Sequence, residues 1–467
     1  MNYFLGIDLG TSYFKAGIFD ETGHLKGLGR QPVQKVSDGT TCELSVDTFW
    51  KTIRNCLDEA IQMADIPVSA IKSLSYSTQV NSFILLDKNN NLLTPLILWP
   101  DKRASDMKLP VIDADELMKR TGLGIIPNAQ FAVAKLYWFR KFRPEIWKKI
   151  TSILSISDFL TFSLTGQKVS DYSTASMSGL FDIVNNSWWN EQLENIGIYS
   201  GMLPLLQRTG TYVELTTTNA ANLIGLPTGI PFFLGGLDHH IAAIGAGIPS
   251  NKYMSESTGT VLSCVDYTDN FSPRKNICIA PGLHSGHFFR LMFNENGARS
   301  LEWYQNNYAS EHSIPELLEM AAQVEPGCEG LTARPCAGTY PELSGFVHEK
   351  NIRYRHGHYV RALLESTAHS LYQMVAEMRK DCSPLPAIVS TGGGSRSELW
   401  VNIKSEIIHI SFLIPECTEA SCMGAAMMGA LGTNAFDDYD SLVDVWVQKF
   451  KNDIYHQRYR QVQKAGQ

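Results

Sequence analysis

One short pattern occurs twice in this chain, once near its start and once past its middle. In the first copy, Tyr3 to Asp20, two apolar runs flank a turn that contains Gly10, Thr11 and Ser12. In the second copy, Tyr253 to Ser263, a Gly-Thr turn again separates two runs typical of strands. Both copies are predicted to be β-hairpins. They predict a chain of two halves, each headed by its own hairpin, that face one another across a cleft.

The length of the chain also requires more than one core. A single hydrophobic core stops growing at about 250–300 residues, and this chain has 467. We therefore predict two domains, each large enough to bury a sizeable interior. The hinge is predicted near Gly245 to Ser250, where Gly and Pro interrupt the chain.

Composition argues against several classes of partner. The net charge is −7 and like charges do not form long blocks, which argues against nucleic acid and anionic membranes as partners. Apolar runs stay shorter than about 18 residues, and the first residues enter a strand pattern instead of a signal peptide. We therefore expect a cytoplasmic protein with a small-molecule partner. Nine cysteines without a Cys-x-x-Cys pair predict neither disulfide bonds nor zinc.

Missing motifs narrow the enzyme classes further. The sequence lacks a Gly-x-x-x-x-Gly-Lys phosphate loop, Gly-x-Gly-x-x-Gly, Gly-x-Ser-x-Gly and His-Glu-x-x-His. Phosphate-loop NTPases, Rossmann dehydrogenases, α/β-hydrolases and zincins are therefore disfavoured. His356 and His358 are separated by one glycine, but two histidines fall short of the three or four ligands that a metal site needs.

The first hairpin turn has the residue types of a phosphate-binding loop. Gly10 lets the backbone approach a phosphate, while Thr11 and Ser12 can donate hydrogen bonds to it. Asp8, beside the turn, is placed to hold Mg²⁺ directly or through water. The alternative is a plain hairpin with an Asx turn.

A second carboxylate, Asp238, lies in the stretch from Ile230 to Gly247. An apolar run, Pro231 to Leu234, is predicted to be a buried strand, and the Ala-rich segment after two paired glycines is predicted to be a helix. Asp238 falls where that helix begins, and helix N–H groups interact favourably with a negative charge there. It is therefore a candidate for a charged base; the alternative is an ordinary helix N-cap.

A third motif is a run of three glycines, Gly392, Gly393 and Gly394. They follow the apolar run Ala387 to Val389, so a strand ends where the backbone can press against an adenine or a ribose. Ser395 is predicted to begin a helix whose N-terminus faces the phosphates. The alternative is a flexible turn between a strand and a helix.

Further segments, in collinear order with these motifs, are similar to a known family. The sequence resembles the FGGY family of carbohydrate kinases over nearly its whole length. Trp99, Asp101 and Arg103 match the Trp-x-Asp-x-Arg pattern of that family. The segments that carry the resemblance are Ser77 to Asp87, Ile97 to Ala104, Ser157 to Leu160, Leu164 to Gly166, Asp171 to Ser176, Leu180 to Asp182, Gly225 to Pro231, Ser390 to Ser395 and Glu419 to Ala426.

The resemblance implies a fold and an activity. The implied fold is a pair of ribonuclease H-like α/β domains of the actin-like ATPase superfamily around a central cleft. The sugar site and the base belong to 1–246, and the nucleotide site belongs to 247–467. The implied activity is ATP-dependent phosphorylation of a hydroxyl of a small sugar or polyol, such as the ketopentose xylulose or a related sugar, with Mg²⁺ as the metal.

The resemblance also implies roles for particular residues. Asp238 is the implied general base, and Asp8 is the implied Mg²⁺ ligand. Arg103 has an alternative role as a structural partner of Asp101, and Trp99 has one as a core residue. The implied sugar-binding residues are Gln79, Asn81, Trp99, Asp101, Arg103 and His239. The implied nucleotide-binding residues are Thr11, Ser12, Thr258, Gly259, Thr260, Gly392, Gly393, Gly394 and Ser395.

Departures from the family pattern leave the sugar open. Gln79 to Ser82 stands where xylulose kinase-like members have Gln-Met-His-Gly, so an amide replaces a histidine. His239 and His240 replace small or amide residues after the base, and His239 is either a substrate contact or a helix-surface residue packed against the turn. Pro335 to Leu343 departs from an aromatic-Leu-x-Gly-Glu-Arg loop near the phosphates.

Other function classes stay open at this point. The hairpins alone would also support a non-sugar ATPase of the same superfamily. The changed loop Pro335 to Leu343 would suit a catalytically silent, sugar-binding regulator, although Asp8 and Asp238 are both retained.

The C-terminal stretch, Ser441 to Gln463, is predicted to be an amphipathic helix. Leu442, Val445, Trp446 and Phe450 lie on one face of it. That face is expected to pack on the second domain or on the partner subunit of a homodimer.

Overall fold

The computed structural model describes residues 2–109, 113–250, 252–348, 353–380, 382, 384–447 and 450–451. It is an α/β structure in which strands and helices alternate along the chain. Within these described ranges, no helix combines the length and the apolar content needed to cross a membrane.

The first part of the chain, up to Ser250, contains most of the strands. These strands are β1 (Tyr3–Leu9), β2 (Tyr13–Asp20), β3 (Leu25–Pro32), β4 (Val36–Ser37), β5 (Cys42–Leu44), β6 (Ile71–Thr78), β7 (Phe83–Leu86), β8 (Leu96–Ile97), β9 (Ser152–Ser155), β10 (Val169–Asp171), β11 (Phe181–Asp182), β12 (Ser187–Trp188), β13 (Leu205–Gln207), β14 (Tyr212–Leu215), β15 (Pro231–Phe233) and β16 (Gly236–Leu237). The helices are α1 (Val46–Ala64), α2 (Ala114–Thr121), α3 (Ala132–Phe142), α4 (Pro144–Trp147), α5 (Ile156–Thr165), α6 (Tyr172–Ser176), α7 (Asn190–Ile196), α8 (Thr218–Ile224) and α9 (Asp238–Gly245).

The rest of the chain is richer in long helices. Its strands are β17 (Met254–Thr258), β18 (Leu262–Thr268), β19 (Cys278–Pro281), β20 (Phe288–Asn294), β21 (Thr332–Ala333), β22 (Phe346–Val347), β23 (Ala387–Thr391), β24 (Ser411–Pro415) and β25 (Phe450–Lys451). Its helices are α10 (Arg299–Tyr308), α11 (Ile314–Ala322), α12 (His356–Met378), α13 (Glu398–Ile408), α14 (Ala420–Gly432) and α15 (Tyr439–Trp446). Short 3₁₀ turns span Val68–Ala70, Ser200–Met202, Cys328–Gly330, Ala337–Thr339 and Gly393–Arg396.

Contacts divide the chain into two compact units that are discontinuous in sequence. The first unit is Met1–Ser250, Tyr267–Arg290 and Glu419–Gln448; the second is Asn251–Asp266, Leu291–Thr418 and Lys449–Gln467. The halves 1–246 and 247–467 remain a prediction of domain organisation. They differ from these units chiefly because 267–290 and 419–448 return to the first unit.

The central sheet of the first unit has the strand order β14-β15-β6-β1-β2-β3, with β16 also paired to β6. β1 pairs with β2 in antiparallel fashion, which confirms the first predicted hairpin, and with β6 in parallel. Phe4 to Leu9 of β1 are all buried. Such a continuous buried run is expected because helices cover both faces, with α1 on β2 and β3 and α14 on β1 and β6.

A glycine lets α14 lie directly on this sheet. A Cβ atom at Gly6 would be 2.0 Å from the carbonyl oxygen of Cys422. On the helix itself, a Cβ atom at Gly424 would be 1.9 Å from the carbonyl oxygen of Ile241 in α9. The small residues of α14 therefore form a close packing face, and they hold the start of α14 against the strands that end at the candidate site.

The second large sheet has the order β19-β20-β18-β17-β23-β24-β25. β17 pairs with β18 in antiparallel fashion, which confirms the second predicted hairpin. β17 also pairs in parallel with β23, and β23 pairs in parallel with β24. Each hairpin is therefore followed in its sheet by a parallel strand from later in the chain.

The predicted C-terminal helix is wrong in its length and in its packing. α15 ends at Trp446, and Phe450 lies in β25, which pairs antiparallel with β24. Trp446 stacks on Phe19 with ring centroids 5.8 Å apart, and its indole N–H donates to the carbonyl oxygen of Glu21 at 3.1 Å. The apolar face of α15 therefore packs on the first unit. The part of the predicted helix from 452 to 463 lies outside the described residues.

Gly6 provides a test of the close contact between α14 and the sheet. We expect Gly6→Ala to lower the free energy of unfolding by about 2–4 kcal/mol, because the added methyl group must displace a helix backbone. Gly201→Ala is the matched control, since a Cβ atom there meets nothing within 4 Å. Urea unfolding followed by circular dichroism measures both, and equal stabilities of the two variants would contradict the packing.

Candidate active site

Two carboxylates predicted from the sequence lie at the same edge of the first unit's sheet. β1 and β16 both pair in parallel with β6, one on each side of it. Asp8 is opposite Ser77 in this register, and Asp238 follows directly after Leu237, which is opposite Thr78. Two strand spacings separate β1 from β16, or about 10 Å between backbones. A ligand at this edge would therefore have one carboxylate on each side.

Asp238 is half-buried and is the first residue of α9. Its Oδ1 accepts the backbone N–H of His239 at 2.8 Å. The predicted strand, glycine turn and helix are therefore present, and the carboxylate stands at the positive end of the helix dipole. Gly235 makes this possible, since a Cβ atom there would lie 1.6 Å from the carbonyl oxygen of Tyr76 in β6.

Asp8 is buried within a small group of charges. Ser77 Oγ donates to Asp8 Oδ1 at 3.0 Å. Burial raises the pKa of Asp8 to about 6, against the attraction of Lys15, which lowers it; the negative charge of Asp238 raises it further. Lys15 Nζ lies 2.6 Å from Glu419 Oε2. Although its own burial lowers the pKa of Lys15, the charges of Asp8 and Glu419 hold that pKa above its ordinary value.

This group suits a divalent cation. Asp8 and Glu419 supply carboxylate oxygens, which Mg²⁺ prefers as ligands, and Asp238 supplies a third carboxylate nearby. The pKa of Asp8 is raised because burial destabilises its negative charge, and a bound cation would stabilise that charge. The sequence prediction does not give Lys15 or Glu419 a role. A signal for Lys15 exists, because it is the one cation in an otherwise apolar run of β2.

Two predicted sugar-binding residues, Trp99 and Gln79, support the first hairpin turn. Trp99 Nε1 donates to Thr11 Oγ1 at 2.8 Å, and Gln79 Nε2 donates to the carbonyl oxygen of Gly10 at 3.1 Å. Trp99 is half-buried and Gln79 is buried, whereas Ser12 is exposed. These contacts bring the predicted sugar-binding and phosphate-binding residues of the first unit together.

Asp101 and Arg103 form the ion pair that the sequence left as an alternative. Asp101 is fully buried, and Arg103 Nε lies 2.8 Å from its Oδ1. Asp101 Oδ2 accepts from the backbone N–H of Cys42 at 2.7 Å, and Arg103 Nη2 also reaches Glu43 at 2.6 Å. Both oxygens of Asp101 are thus occupied by protein donors, so the pair fixes the segment that carries Trp99.

Lys135, which the sequence prediction does not include, anchors the same region. Its Nζ donates to the carbonyl oxygens of Asn81 at 2.9 Å and Leu98 at 3.0 Å. Asn81 has a left-handed φ of 61°, and its Oδ1 accepts the N–H of Ala132 at the start of α3. Burial lowers the pKa of Lys135 to about 7. One lysine therefore ties the 79–82 loop to the segment before Trp99.

A sequence signal for Lys135 is visible in hindsight. Phe131 and Phe139 lie four residues to either side of it, on one face of α3, and all three side chains are buried. A lysine at the centre of an apolar helical stripe must find acceptors inside the protein.

The two histidines after Asp238 have different surroundings. His240 is buried, its Nδ1 lies 2.8 Å from Ser173 Oγ, and its ring stacks on Phe289 at 4.8 Å. Burial lowers the pKa of His240 to about 3, so the ring is neutral at physiological pH. His239 is half-buried in the first turn of α9, and its position leaves both predicted roles open.

In the second unit, the other hairpin turn meets the glycine run. β17 and β23 end side by side, with Ser257 opposite Thr391. A Cβ atom at Gly392 would lie 2.6 Å from Ser257 Oγ, and one at Gly394 would lie 2.6 Å from Thr258 Cβ. Gly392 also has a φ of +75°, which L side chains rarely adopt. The structure thus brings the predicted nucleotide-binding residues of this unit together, with Thr260 exposed.

The helix predicted to begin at Ser395 begins later. Ser395 lies in the 3₁₀ turn Gly393–Arg396, and its hydroxyl donates to the carbonyl oxygen of Gly392 at 2.8 Å. α13 starts at Glu398, because the Ser397 side chain caps it by accepting the N–H of Trp400. A short turn therefore separates the glycine run from the helix.

A buried ion pair lies beneath the second hairpin turn. Lys404 Nζ is 2.7 Å from Glu256 Oε1 and donates to Thr258 Oγ1 at 2.7 Å, and both charged side chains are fully buried. Thr258 in turn donates to Glu256 Oε2 at 2.9 Å, and Ser390 also donates to Glu256. The hydroxyl of Thr258 is therefore engaged inside the protein, and Glu256 and Lys404 are positioning residues that the sequence prediction does not include.

Comparison with known families identifies the chain. The N-terminal domain model of the FGGY family of carbohydrate kinases matches residues 3–245, and the C-terminal domain model matches residues 299–433. The chain belongs to the FGGY family of carbohydrate kinases. This membership confirms the resemblance and the enzyme class, a carbohydrate kinase that uses ATP, and it disfavours the non-sugar ATPase.

Relatives of this FGGY kinase align over almost the whole chain. Gluconokinase from Bacillus subtilis (strain 168) is 27% identical, with 95% of this chain and 90% of the relative covered. Xylulose kinase from the same strain is 26% identical, with 96% and 92% covered.

Solved structures confirm the α/β fold of the actin-like ATPase type. The ligand-bound xylulose kinase from Lactobacillus acidophilus has a TM-score of 0.84 at 17% identity, covering 100% of this chain and 98% of that chain. The xylulose kinase from Rhodospirillum rubrum has a TM-score of 0.83 at 22% identity, covering 99% and 98%.

The raised pKa of Asp8 predicts a stability that depends on pH. Between about pH 4 and pH 6 the folded protein retains a proton on Asp8 that the unfolded chain releases, so the free energy of unfolding falls as pH rises through this window. In the Asp8→Asn variant this fall in the free energy of unfolding is absent, because the amide does not titrate. Without divalent cations, we expect the stability of Asp8→Asn relative to the wild type to grow by about 1–2 kcal/mol from pH 5 to pH 8.

Denaturant unfolding in EDTA at several pH values measures this difference. Asp106→Asn, which removes an exposed carboxylate, is the matched control and should show no such trend. A parallel pH dependence for the wild type and Asp8→Asn would contradict the buried charge.

Proposed function

We propose that this FGGY kinase transfers the γ-phosphoryl group of ATP to a hydroxyl of a ketopentose such as xylulose or of a related small sugar or polyol. Asp238 is the general base. One observation carries the proposal: Asp8, near the end of β1, and Asp238, directly after β16, lie at the same edge of the sheet on either side of β6. That geometry supports an acceptor hydroxyl beside one carboxylate and phosphate oxygens beside the other.

The proposed chemistry asks little covalent work of the protein. Phosphoryl transfer needs the hydroxyl aligned with the γ-phosphate, the developing charge neutralised and a group to accept the hydroxyl proton. Asp238 Oδ1 already accepts the N–H of His239, which fixes the carboxylate at the start of α9. The carboxylate then takes the proton from the sugar hydroxyl as the sugar oxygen bonds to the γ-phosphorus and the bond from that phosphorus to the bridging oxygen of ADP breaks.

The charges around Asp8 support the phosphate end of the site. Bound Mg²⁺ would supply positive charge that neutralises the phosphates there. Asp8 would hold the cation, and Lys15 keeps Glu419 nearby through their 2.6 Å contact. Thr11 and Ser12 donate to phosphate oxygens, with the Thr11 hydroxyl oriented by Trp99.

The contacts that the second unit offers to the nucleotide are mainly backbone contacts. Gly259 and the exposed hydroxyl of Thr260 face the phosphates, while Thr258 shapes the turn because Glu256 and Lys404 occupy its hydroxyl. The run from Gly392 to Ser395 forms the surface for adenosine, where a Cβ atom at Gly392 or Gly394 would collide with β17.

For the sugar, we assign direct contact to Asn81, Trp99 and His239. Gln79 contributes chiefly by holding the Gly10 turn. Asp101 and Arg103 form the wall behind Trp99, since their charged groups are paired with each other inside the protein. The named relatives act on gluconate or on xylulose, and a set of sugars must therefore include both.

A sugar panel tests the activity. Release of ADP from ATP and Mg²⁺ is measured with D-xylulose, L-xylulose, D-ribulose, gluconate, glycerol and glucose. We expect one sugar to stimulate ADP release strongly over the sugar-free rate. ATP turnover that no member of the panel stimulates would favour a non-sugar ATPase, and gluconate as the best substrate would contradict the ketopentose assignment.

Asp238→Asn tests the base. We expect kcat to fall by at least about 100-fold, the usual contribution of a positioned base, while KM for the sugar and for ATP stays within a few-fold of the wild type. Asp58→Asn, on the exposed side of α1, is the matched control. Turnover in Asp238→Asn close to that of the control would exclude Asp238 as the base.

A further inference from the structure

Three side chains that commonly bind metals meet at the turn between α10 and α11. Glu311 Oε1 lies 3.6 Å from His312 Nε2 and 3.7 Å from His356 Nε2, and the ligand atoms of all three lie within 4.8 Å of one another. His356 and His358 on their own do not make a metal site. The folded second unit supplies the missing ligands from a different part of the chain.

The His356 ring is held in an orientation that suits a ligand. Its Nδ1 lies 3.0 Å from the hydroxyl of Tyr304, a buried residue whose ring stacks on Tyr308 and Tyr359. The hydrogen bond at Nδ1 directs Nε2 toward Glu311. Histidines that bind metals commonly use one ring nitrogen for the metal and the other for such a hydrogen bond. When Nε2 binds a cation, Nδ1 carries the proton and donates a hydrogen bond to the hydroxyl oxygen of Tyr304.

The His312 backbone is equally well fixed. Its N–H donates to the carbonyl oxygen of Ala309 at 3.0 Å, and its own carbonyl oxygen accepts from Gln305 Nε2 at 2.9 Å. The next residue, Ser313, caps α11 through a reciprocal pair of hydrogen bonds with Glu316. His312 and His356 therefore both lie at the fixed ends of helices.

The two Glu311 distances are close to those between ligand atoms of a bound transition metal. Metal–nitrogen and metal–oxygen bonds near 2.1 Å in a tetrahedral site place neighbouring ligand atoms about 3.4 Å apart. The two Glu311 distances exceed this by a few tenths of an ångström. The side chains of His312 and His356 are 28% and 34% exposed and that of Glu311 is 61% exposed, so they can close around a cation that arrives from solvent.

We propose that Glu311, His312 and His356 bind one divalent cation of the zinc class, with water in the fourth position. Two imidazoles and one carboxylate favour Zn²⁺, Co²⁺, Ni²⁺ or Cu²⁺ over Mg²⁺ and Ca²⁺, which prefer oxygen ligands. The site is therefore distinct in chemistry from the Mg²⁺ site proposed for phosphoryl transfer. The bound cation joins the α10–α11 turn to the start of α12. It also lies at the wall of a cavity of about 730 Å³ that His356 and Tyr304 line.

The alternative is a pair of ordinary ion contacts between Glu311 and protonated histidines. Such contacts would need no metal. Uptake of one equivalent of Zn²⁺ therefore distinguishes metal binding from these contacts.

Titration of the tag-free full-length protein with Zn²⁺ and Co²⁺ at pH 7.5 tests the site. We expect one equivalent of Zn²⁺ in calorimetry and visible Co²⁺ absorption of the tetrahedral type. His312→Ala and His356→Ala should each weaken binding at least about 10-fold and abolish the Co²⁺ band. Tyr304→Phe retains all three ligands and should weaken binding to a smaller extent.

His358→Ala and His369→Ala are the matched controls on α12. His358 contacts Glu329 at 3.7 Å and His369 is exposed, so both variants should bind like the wild type. The proposal is overturned if the wild type takes up no Zn²⁺, if the Co²⁺ band is octahedral and unchanged in His312→Ala, or if His358→Ala loses as much affinity as His356→Ala. Circular dichroism spectra that match the wild type show that a loss of binding is not a loss of folding.

Discussion

Parallel pairing of β1 and β16 with the shared strand β6 places the two candidate carboxylates of this kinase. It sets Asp8 and Asp238 at one edge of a sheet, and neither carboxylate could be moved without changing the register of a buried strand. The close approach of these strands depends on Gly235, which contacts the backbone of Tyr76. Gly6 in turn lets α14 pack on β1, and this brings Glu419 to Lys15.

The two hairpins share a topology and differ in electrostatics. In the first unit, Asp8 is buried with a raised pKa and has Lys15 across the strand pair, so its charge suits a cation. In the second unit, Glu256 is saturated by Lys404, Thr258 and Ser390. A carboxylate with all its acceptors occupied stiffens a turn and offers little to a ligand. The carboxylate of the first hairpin therefore suits a cation, whereas the carboxylate of the second hairpin holds its own turn.

Local features of the fold could be predicted from the sequence, and long-range ones could not. Both hairpins and the helix that begins at Asp238 follow from apolar runs and turn residues, because these signals act within a few residues. The return of α14 to the first unit depends on packing against β1 and β6, which no local pattern records. The helix predicted past Trp446 fails for a similar reason, since Phe450 lies in β25, which pairs with β24 and forms the edge of the second large sheet.

In the candidate site, too, some residues could be predicted from the sequence and others could not. The carboxylates at strand ends are visible in the sequence because glycine-rich turns mark the strand ends. The contacts of the lysines that hold the neighbouring loops could not be predicted. The apolar stripe around Lys135 indicates only that it is buried, and Lys135 and Lys404 find their acceptors on segments far away in sequence. Likewise, the sequence does not distinguish His240 from His239, and only burial against Phe289 makes His240 part of the core.

Binding of Mn²⁺ in place of Mg²⁺ tests most directly whether the buried charge of Asp8 serves a metal. At pH 7.5, Asp8 with a pKa of about 6 is ionised, and electron paramagnetic resonance counts the Mn²⁺ bound in the presence of ADP. If Asp8 is a ligand, Asp8→Asn should bind Mn²⁺ at least about 10-fold more weakly than the wild type while remaining folded. Equal Mn²⁺ affinity in the two proteins would show that the strand-end carboxylate does not hold the metal.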